Sequence, residues 1–333
     1  MIRCAIVGAT GLVGSTFLKV LEEKKLPIDE YVLLASSKSA GKEINFNERK
    51  YIVEELNEHS FDNNRFKYAL FSAGGEISSI YSPIAKNNGC TVIDNSSYFR
   101  MNKDVPLVVP EVNELDIYTN NGIIANPNCS TIQAVIPLKV LNDNYKIKRV
   151  IYSTYQAVSG AGAKGIKDLE NTSKGEKATK FPYPIYNNCL PHIDVFLENG
   201  YTKEEMKMIE ETKKILNLPD LNITATCVRV PTLNCHCESI NVELENEFDI
   251  LEVKQLLNKQ DGIIVHDDTT KNIYPLPTFV DGKDDIFIGR IRRDYSVKNG
   301  INFWCVADNI RKGAATNAVQ ILEKLINFHL NLI

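Results

Sequence analysis

Apolar residues fall in short unbroken runs over the first third of the chain. Residues 2–8, IRCAIVG, are apolar and β-branched without alternation, the pattern of a parallel strand buried on both faces. A helix is predicted from about Leu12 to Lys25, then strands at residues 31–36 and 68–74. Next come a helix near residues 77–88, a strand at 90–94 and a strand ending at Pro127. This strand–helix rhythm predicts a Rossmann-type doubly wound parallel sheet. After about residue 145 the pattern changes. Residues 149–160, 224–232, 236–244, 285–293 and 302–309 read as strands with few helices between them. They predict an α+β domain with a mixed or antiparallel sheet, one face covered by helices near 203–216 and 250–258. The polar stretch 170–180 is expected to be an exposed loop. In the tail, Ala315, Val319, Leu322 and Ile326 recur at helical spacing.

Composition adds bounds. With 333 residues, 44% of them hydrophobic, the chain can bury a sizeable core and favours two domains. The net charge of -4, with signs interspersed, offers no basic stripe for nucleic acid and no polybasic end for a membrane surface. The chain opens on a strand pattern rather than a signal peptide, and no apolar run approaches membrane-spanning length. A cytoplasmic protein is the expectation. The eight cysteines are scattered, so they are expected to be reduced, and mostly small core hydrophobes. Cys235 and Cys237 share a strand face but have no partner pair elsewhere, and no metal is expected.

The first strand runs into Gly8-Ala9-Thr10-Gly11-Leu12-Val13-Gly14. Gly8, Gly11 and Gly14 allow a sharp turn and a close backbone approach, and the helix start then presents N–H groups to a pyrophosphate. Strand before and helix after are the context that supports a dinucleotide loop. The second predicted strand ends without the acidic residue that would take a ribose hydroxyl. Lys38 and Ser39 stand there instead and suit a 2′-phosphate, which predicts a preference for NADP.

Cys129, in NPNCST, stands apart from the other cysteines. It falls in the first turn of a helix after a strand, where the helix dipole lowers a thiol pKa. Of the five histidines, His59 lies in a polar loop-like stretch, His329 is near the C-terminus, His266 looks exposed, and His192, after Pro191, admits a structural role. His236 opens a strand seven residues after Arg229, placing a base and an anion-binding guanidinium near each other. Spacing alone leaves this level with a structural histidine.

Eight ordered motifs, GATGLVG, ASSKSAGK, DNSSYFRM, VVPEVN, NPNCST, YQAVSGAG, RVPTLNCHCES and DNIRKGAATNAVQ, resemble the aspartate-β-semialdehyde dehydrogenase family over nearly the whole chain. The resemblance implies Cys129 as nucleophile, His236 as acid/base and Gln156 orienting the reacting group. It implies that Arg229 and Glu204 contact substrate and that Arg100 and Lys207 bind phosphate. Thr10 to Val13 (Leu12 included), Lys38, Ser39, Ser159, Gly160 and Asn317 would contact NADP(H). It also implies a Rossmann domain, residues 1–128 completed by 313–333, and a catalytic and dimerisation domain, 129–312, in a homodimer. Lys38 stands where many family members carry arginine.

The implied reaction makes aspartate semialdehyde and phosphate from aspartyl phosphate through a cysteine thioester. It belongs to biosynthesis of lysine, threonine, methionine and diaminopimelate. Two other readings stay open. N-acetyl-glutamyl-phosphate reductase shares the loop and the thioester, but its cysteine motif reads more like NPGCY. A non-catalytic NADP-binding thiol sensor is opposed by the set Cys129, Gln156, Arg229 and His236.

Overall fold

The computed structural model describes residues 1–330; the end of the predicted tail, 331–333, lies outside the described residues. The chain forms two compact units, Met1–Pro127 with Ala314–Ile333, and Asn128–Gly313.

The first unit carries β1 (Arg3–Val7), β2 (Glu30–Ala35), the hairpin β3 (Glu43–Phe46) and β4 (Arg49–Ile52), and β5 (Glu54–Glu55). It continues with β6 (Tyr68–Phe71), β7 (Thr91–Asp94) and β8 (Ile123–Ala125), and with helices α1 (Leu12–Lys24), α2 (Gly75–Asn87) and the short α3 (Pro110–Asn113). Its main sheet is parallel throughout, in the order β5-β2-β1-β6-β7-β8. All four residues of β6 and the last four of β1 are buried, which is why these strands read as unbroken apolar runs. The hairpin falls outside the elements that periodicity predicts. Its turn is Asn47-Glu48, both at positive φ (50° and 60°), the geometry that matches strand twist. Gly8 has φ 83°, and a Cβ on Gly14 would lie 2.0 Å from the Gly8 carbonyl oxygen. Only glycines let α1 leave the sheet this closely.

The second unit contains β9 (Ile147–Gln156), β10 (Asn222–Arg229), β11 (His236–Leu244), β12 (Ile263–Val265), β13 (Ile286–Asp294) and β14 (Gly300–Ala307). The order is β10-β9-β11-β14-β13-β12, with β9–β10 and β12–β13 parallel and the remaining pairs antiparallel. Helices α4 (Cys129–Tyr145), α5 (Ala163–Ser173), α6 (Lys203–Leu216), α7 (Ile250–Lys259) and the short α8 (Pro277–Val280) complete it. The buried row His236, Glu238, Ile240, Val242 and Leu244 of β11 lies against α4. The expected loop 170–180 is corrected here: 170–173 close α5, and Thr172 is buried. The rest of that stretch is anchored by Asp168, whose carboxylate accepts from the N–H groups of Thr179, Lys180 and Phe181.

The chain ends with α9 (Asn317–His329), which returns to the first unit. Ala318, Val319, Leu322 and Ile326 share a core with Cys4, Ile6 and Leu33 of the parallel sheet. Among the described residues no helix is long and apolar enough to cross a membrane.

Candidate active site

Cys129 is the first residue of α4. Asn128 is extended (φ -61°, ψ 144°) and caps the helix, its side-chain oxygen accepting from Ser130 N–H at 3.0 Å and Thr131 N–H at 3.4 Å. The half-buried thiol therefore sits at the positive helix end. The chain also passes over it at Gly313, where a Cβ would lie 2.9 Å from the Cys129 Cβ. Gly313 belongs to a π-helical turn, Arg311–Thr316, where the sequence predicts ordinary helix. Cys4, Cys90, Cys227, Cys235, Cys237 and Cys305 are buried, and burial pushes each of these thiols up. Cys189 is exposed, while most of the cysteines take the expected core role. Cys235, Asp281 and Asp308 bring ligand atoms within 4.8 Å of one another. Asp308 already accepts from the N–H groups of Gly282, Ile310 and Arg311, so the group reads as loop closure.

Beside the cap, α6 opens with a capping box between Thr202 and Glu205. That start sends Glu204 inward. Its Oε1 accepts from Asn128 Nδ2 at 2.9 Å and Gln156 Nε2 at 3.1 Å, and its Oε2 from Lys207 Nζ at 3.0 Å. Burial would raise this carboxyl, but the Lys207 charge and these hydrogen bonds outweigh it and hold the pKa at about 2. Lys207 also pairs with Asp194 at 2.8 Å. Thr154 Oγ1 donates to Gln156 Oε1 at 3.0 Å, so both ends of the Gln156 amide are fixed.

Arg229 ends β10, His236 begins β11, and both bond to the backbone of Ala157. The Ala157 carbonyl accepts from Arg229 Nη1 at 2.5 Å, and the Ala157 N–H donates to His236 Nδ1 at 3.1 Å. A ring nitrogen that accepts is unprotonated, so the His236 proton lies on Nε2. That Nε2 is buried and has no hydrogen-bond partner among the described residues. Burial first, and the Arg229 charge second, lower its pKa to about 3, so the imidazole is neutral. Gly160 covers both groups: a Cβ there would lie 2.9 Å from Arg229 Nη1 and 3.1 Å from His236 Nε2. The other histidines differ. His192 stacks on Phe196 at 4.2 Å, His59 and His329 are exposed, and His266 is half-buried against Phe279, which corrects the expectation that it is exposed.

Stability should fall in acid. Both His236 (about 3 against an ordinary 6.5) and Glu204 (about 2 against 4.5) have depressed folded values. The unfolded chain then takes up protons first, so the stabilisation is full above each ordinary value and is lost as pH falls towards the folded one. The His236 contribution to the urea midpoint, read as the difference between the unaltered protein and His236→Asn, is expected to start falling as pH drops below 6.5. A difference that stays constant from above 6.5 down to 4.5 would contradict the buried neutral imidazole.

Ser159, expected to touch the cofactor, is buried and its hydroxyl pairs with Asn309, which donates to it at 3.0 Å. In the first unit, Thr10 donates to Ser39 at 3.3 Å, joining the glycine loop to the end of β2. Gly11 caps α1 without any side-chain bond, and the first turn carries no acid, so the helix start is open to an anion. Lys38 is exposed and makes no ion pair among the described residues. These features fit a dinucleotide phosphate. Arg100 is buried and donates to the carbonyls of Asn126 and Asn95. Asn317 is fully buried and donates to Asn126 Oδ1 at 2.7 Å and to the Val108 carbonyl.

Known proteins carry the same frame. Residues 3–119 match the family described as semialdehyde dehydrogenase, NAD binding domain, and residues 138–312 match semialdehyde dehydrogenase, dimerisation domain. Aspartate-semialdehyde dehydrogenase of Aquifex aeolicus is 54% identical over 97% of this chain and 98% of its own length. The chain belongs to the aspartate-semialdehyde dehydrogenase family. Among solved aspartate-semialdehyde dehydrogenases, a Vibrio cholerae enzyme described as complexed with ASA has 47% identity and a TM-score of 0.94, covering 98% of each chain. One from Candida albicans, described as with NADP, has 25% identity and a TM-score of 0.77 over 100% of each chain.

For an aspartate-semialdehyde dehydrogenase, several site residues escape sequence reasoning. Asn128 leaves a signal, an Asn directly before a helical run, but its second bond to Glu204 bridges distant segments. Ala157 acts only through its backbone and leaves none. Gly313 is one glycine among 18, and only its closeness to Cys129 singles it out.

Proposed function

We propose that this chain is an NADP(H)-dependent phosphorylating dehydrogenase that interconverts aspartyl phosphate and aspartate semialdehyde through a thioester on Cys129. The reading rests above all on His236, a buried neutral imidazole whose unpartnered Nε2–H lies beside the Arg229 guanidinium under Gly160. In the reductive direction the Cys129 thiolate attacks the acyl phosphate and phosphate leaves. The bound nicotinamide supplies the hydride. The resulting thiohemiacetal oxygen gains negative charge, which His236 Nε2–H and the N–H groups at the start of α4 stabilise. Collapse releases the aldehyde and regenerates the thiolate. Arg229 pairs with the substrate α-carboxylate and Glu204 with its ammonium group. Gln156, held by Thr154 and Glu204, orients the reacting carbonyl. Arg100 and Lys207 take the phosphate, so Lys207 exchanges Asp194 for substrate.

Gly8, Thr10 to Gly14, Lys38, Ser39, Ser159, Gly160 and Asn317 form the NADP(H) side of the proposal. The chain acts as a homodimer: on the mixed-sheet unit exposed Leu276 lines a concavity with Ser239, Arg290 and Trp304, and exposed Tyr155 packs on Trp304. The test is phosphate-dependent NADP reduction by aspartate semialdehyde, run with NAD in parallel. Lys38→Glu is expected to raise KM for NADP about tenfold, or about 1.4 kcal/mol, and leave KM for NAD nearly unchanged. Equal kcat/KM for the two cofactors in the unaltered protein would refute the NADP preference.

A further inference from the structure

Strand β11 holds a group the proposed reaction does not use. Side chains two apart on a strand share a face, so Glu238 joins His236 in the buried row against α4. The rest of that row is Ile240, Val242 and Leu244, and Glu238 is fully buried among them. Register places Glu238 opposite Cys305 on β14 and Thr154 on β9. Neither carboxyl oxygen has a hydrogen-bond partner among the described residues, and neither has Oε1 of Gln133 on α4.

Cys305 is the neighbour that Glu238 and Gln133 share. The Cys305 thiol donates to the Gln133 carbonyl at 3.6 Å and lies 3.9 Å from Gln133 Nε2, while its backbone is the cross-strand partner of Glu238. Gln133 Nε2 also donates to the His236 carbonyl at 3.2 Å. Three buried acceptors call for a donor, and a protonated carboxyl among them supplies one. The titratable groups that interact electrostatically with Glu238 are Glu204 of α6, Tyr152 of β9, Cys227 of β10, Cys305 of β14 and, from the other face of its own strand, Cys237, and none is a cation. Burial first, then Glu204, push the carboxyl well up, so it is the group that keeps a proton. The Tyr152 hydroxyl is already paired with Thr212 at 3.0 Å.

We propose that Glu238 is a positioning residue: its carboxyl group donates a hydrogen bond to Gln133 Oε1, and this keeps the Gln133 amide nitrogen on the His236 carbonyl. His236 needs the anchor because it starts its strand directly after Cys235, where φ is 68° and the backbone reverses. The ring is then held at two points, Nδ1 by the Ala157 N–H and the main chain by Gln133. The His236 carbonyl and Cys305 Sγ hold the nitrogen end of the Gln133 amide, and the donor holds its oxygen end.

The proposal rests on the proposed role of His236, and its test separates the two. Glu238→Gln keeps shape and donor, so its kcat is expected near that of the unaltered enzyme. Glu238→Leu keeps bulk but loses the donor. Its kcat is expected to fall roughly tenfold with little change in KM, the size of effect a sub-ångström displacement of a reacting group produces. Combining Gln133→Leu with Glu238→Leu should add little to either alone. Independently of activity, the infrared difference between the unaltered protein and Glu238→Gln at neutral pH should contain a carboxylic-acid C=O band. Absence of that band, Glu238→Gln as impaired as Glu238→Leu, or an unimpaired Glu238→Leu would each overturn the proposal. If Glu238→Leu fails to fold, the infrared band and the Glu238→Gln kinetics still decide. A protein with the band but without semialdehyde activity would sink the reading of His236 and leave the carboxyl's proton established.

Discussion

Cys129→Ala is expected to lower kcat for phosphate-dependent NADP reduction by at least about a thousandfold, as loss of a covalent nucleophile does in other enzymes. The thiol is at the first position of α4, and its helix is capped by Asn128 rather than by Cys129 itself. Alanine keeps the helix start, and it also keeps the Cβ that lies against Gly313. NADP binding, read by fluorescence titration, and thermal stability should therefore stay close to those of the unaltered protein. That combination distinguishes lost chemistry from lost structure. Retained turnover in the variant would end the thioester mechanism, because no other cysteine shares its setting: six are buried with raised pKa values and Cys189 is exposed.

Gly160→Ala is expected to reduce kcat/KM about a hundredfold, the cost of misplacing reacting groups by about 1 Å. The backbone does not demand glycine here, since Gly160 is not at positive φ. The demand comes from contact. A methyl group would press on the Arg229 guanidinium and on both Cε1 and Nε2 of His236, at 2.9 to 3.1 Å. Arg229 is tied to the Ala157 carbonyl and His236 to the Ala157 N–H, so neither can yield without breaking a bond to the same residue. Both the clamp and the oxyanion donor would move. Steady-state kinetics of the variant against Gly75→Ala, where a Cβ meets nothing closer than 3.8 Å, would test this. Equal activity in both variants would mean that the space above His236 is not used.

Much of the frame was legible in the chain. The bounds of α6 match the predicted 203–216, because Thr202 and Glu205 announce the start locally and an amphipathic stripe succeeds them. β11 likewise matches 236–244. The misses share a cause. Helix α5 carries few apolar residues, and its C-terminal half reads as loop because its order comes from Asp168 holding 179–181, not from its own periodicity. The β3–β4 hairpin hides in a polar stretch whose turn, Asn47-Glu48, lacks the glycine that usually marks one. The π-turn at Arg311–Thr316 has helical composition, and only the crowding of Gly313 against Cys129 sets it apart.

By itself, the sequence determined the parallel sheet, the glycine loop and the placement of Cys129 at a helix start. Each depends on residues close along the chain, where spacing and local backbone preference decide the outcome. Tertiary structure alone decided the states of the groups around that cysteine. His236 is neutral with its proton on Nε2 because Ala157, 79 residues away, donates to Nδ1 and because burial opposes a second charge. Glu204 stays ionised in an equally buried setting because Lys207, Asn128 and Gln156 converge on it. Burial and hydrogen bonding between distant segments set protonation, and residue identity along a chain carries neither.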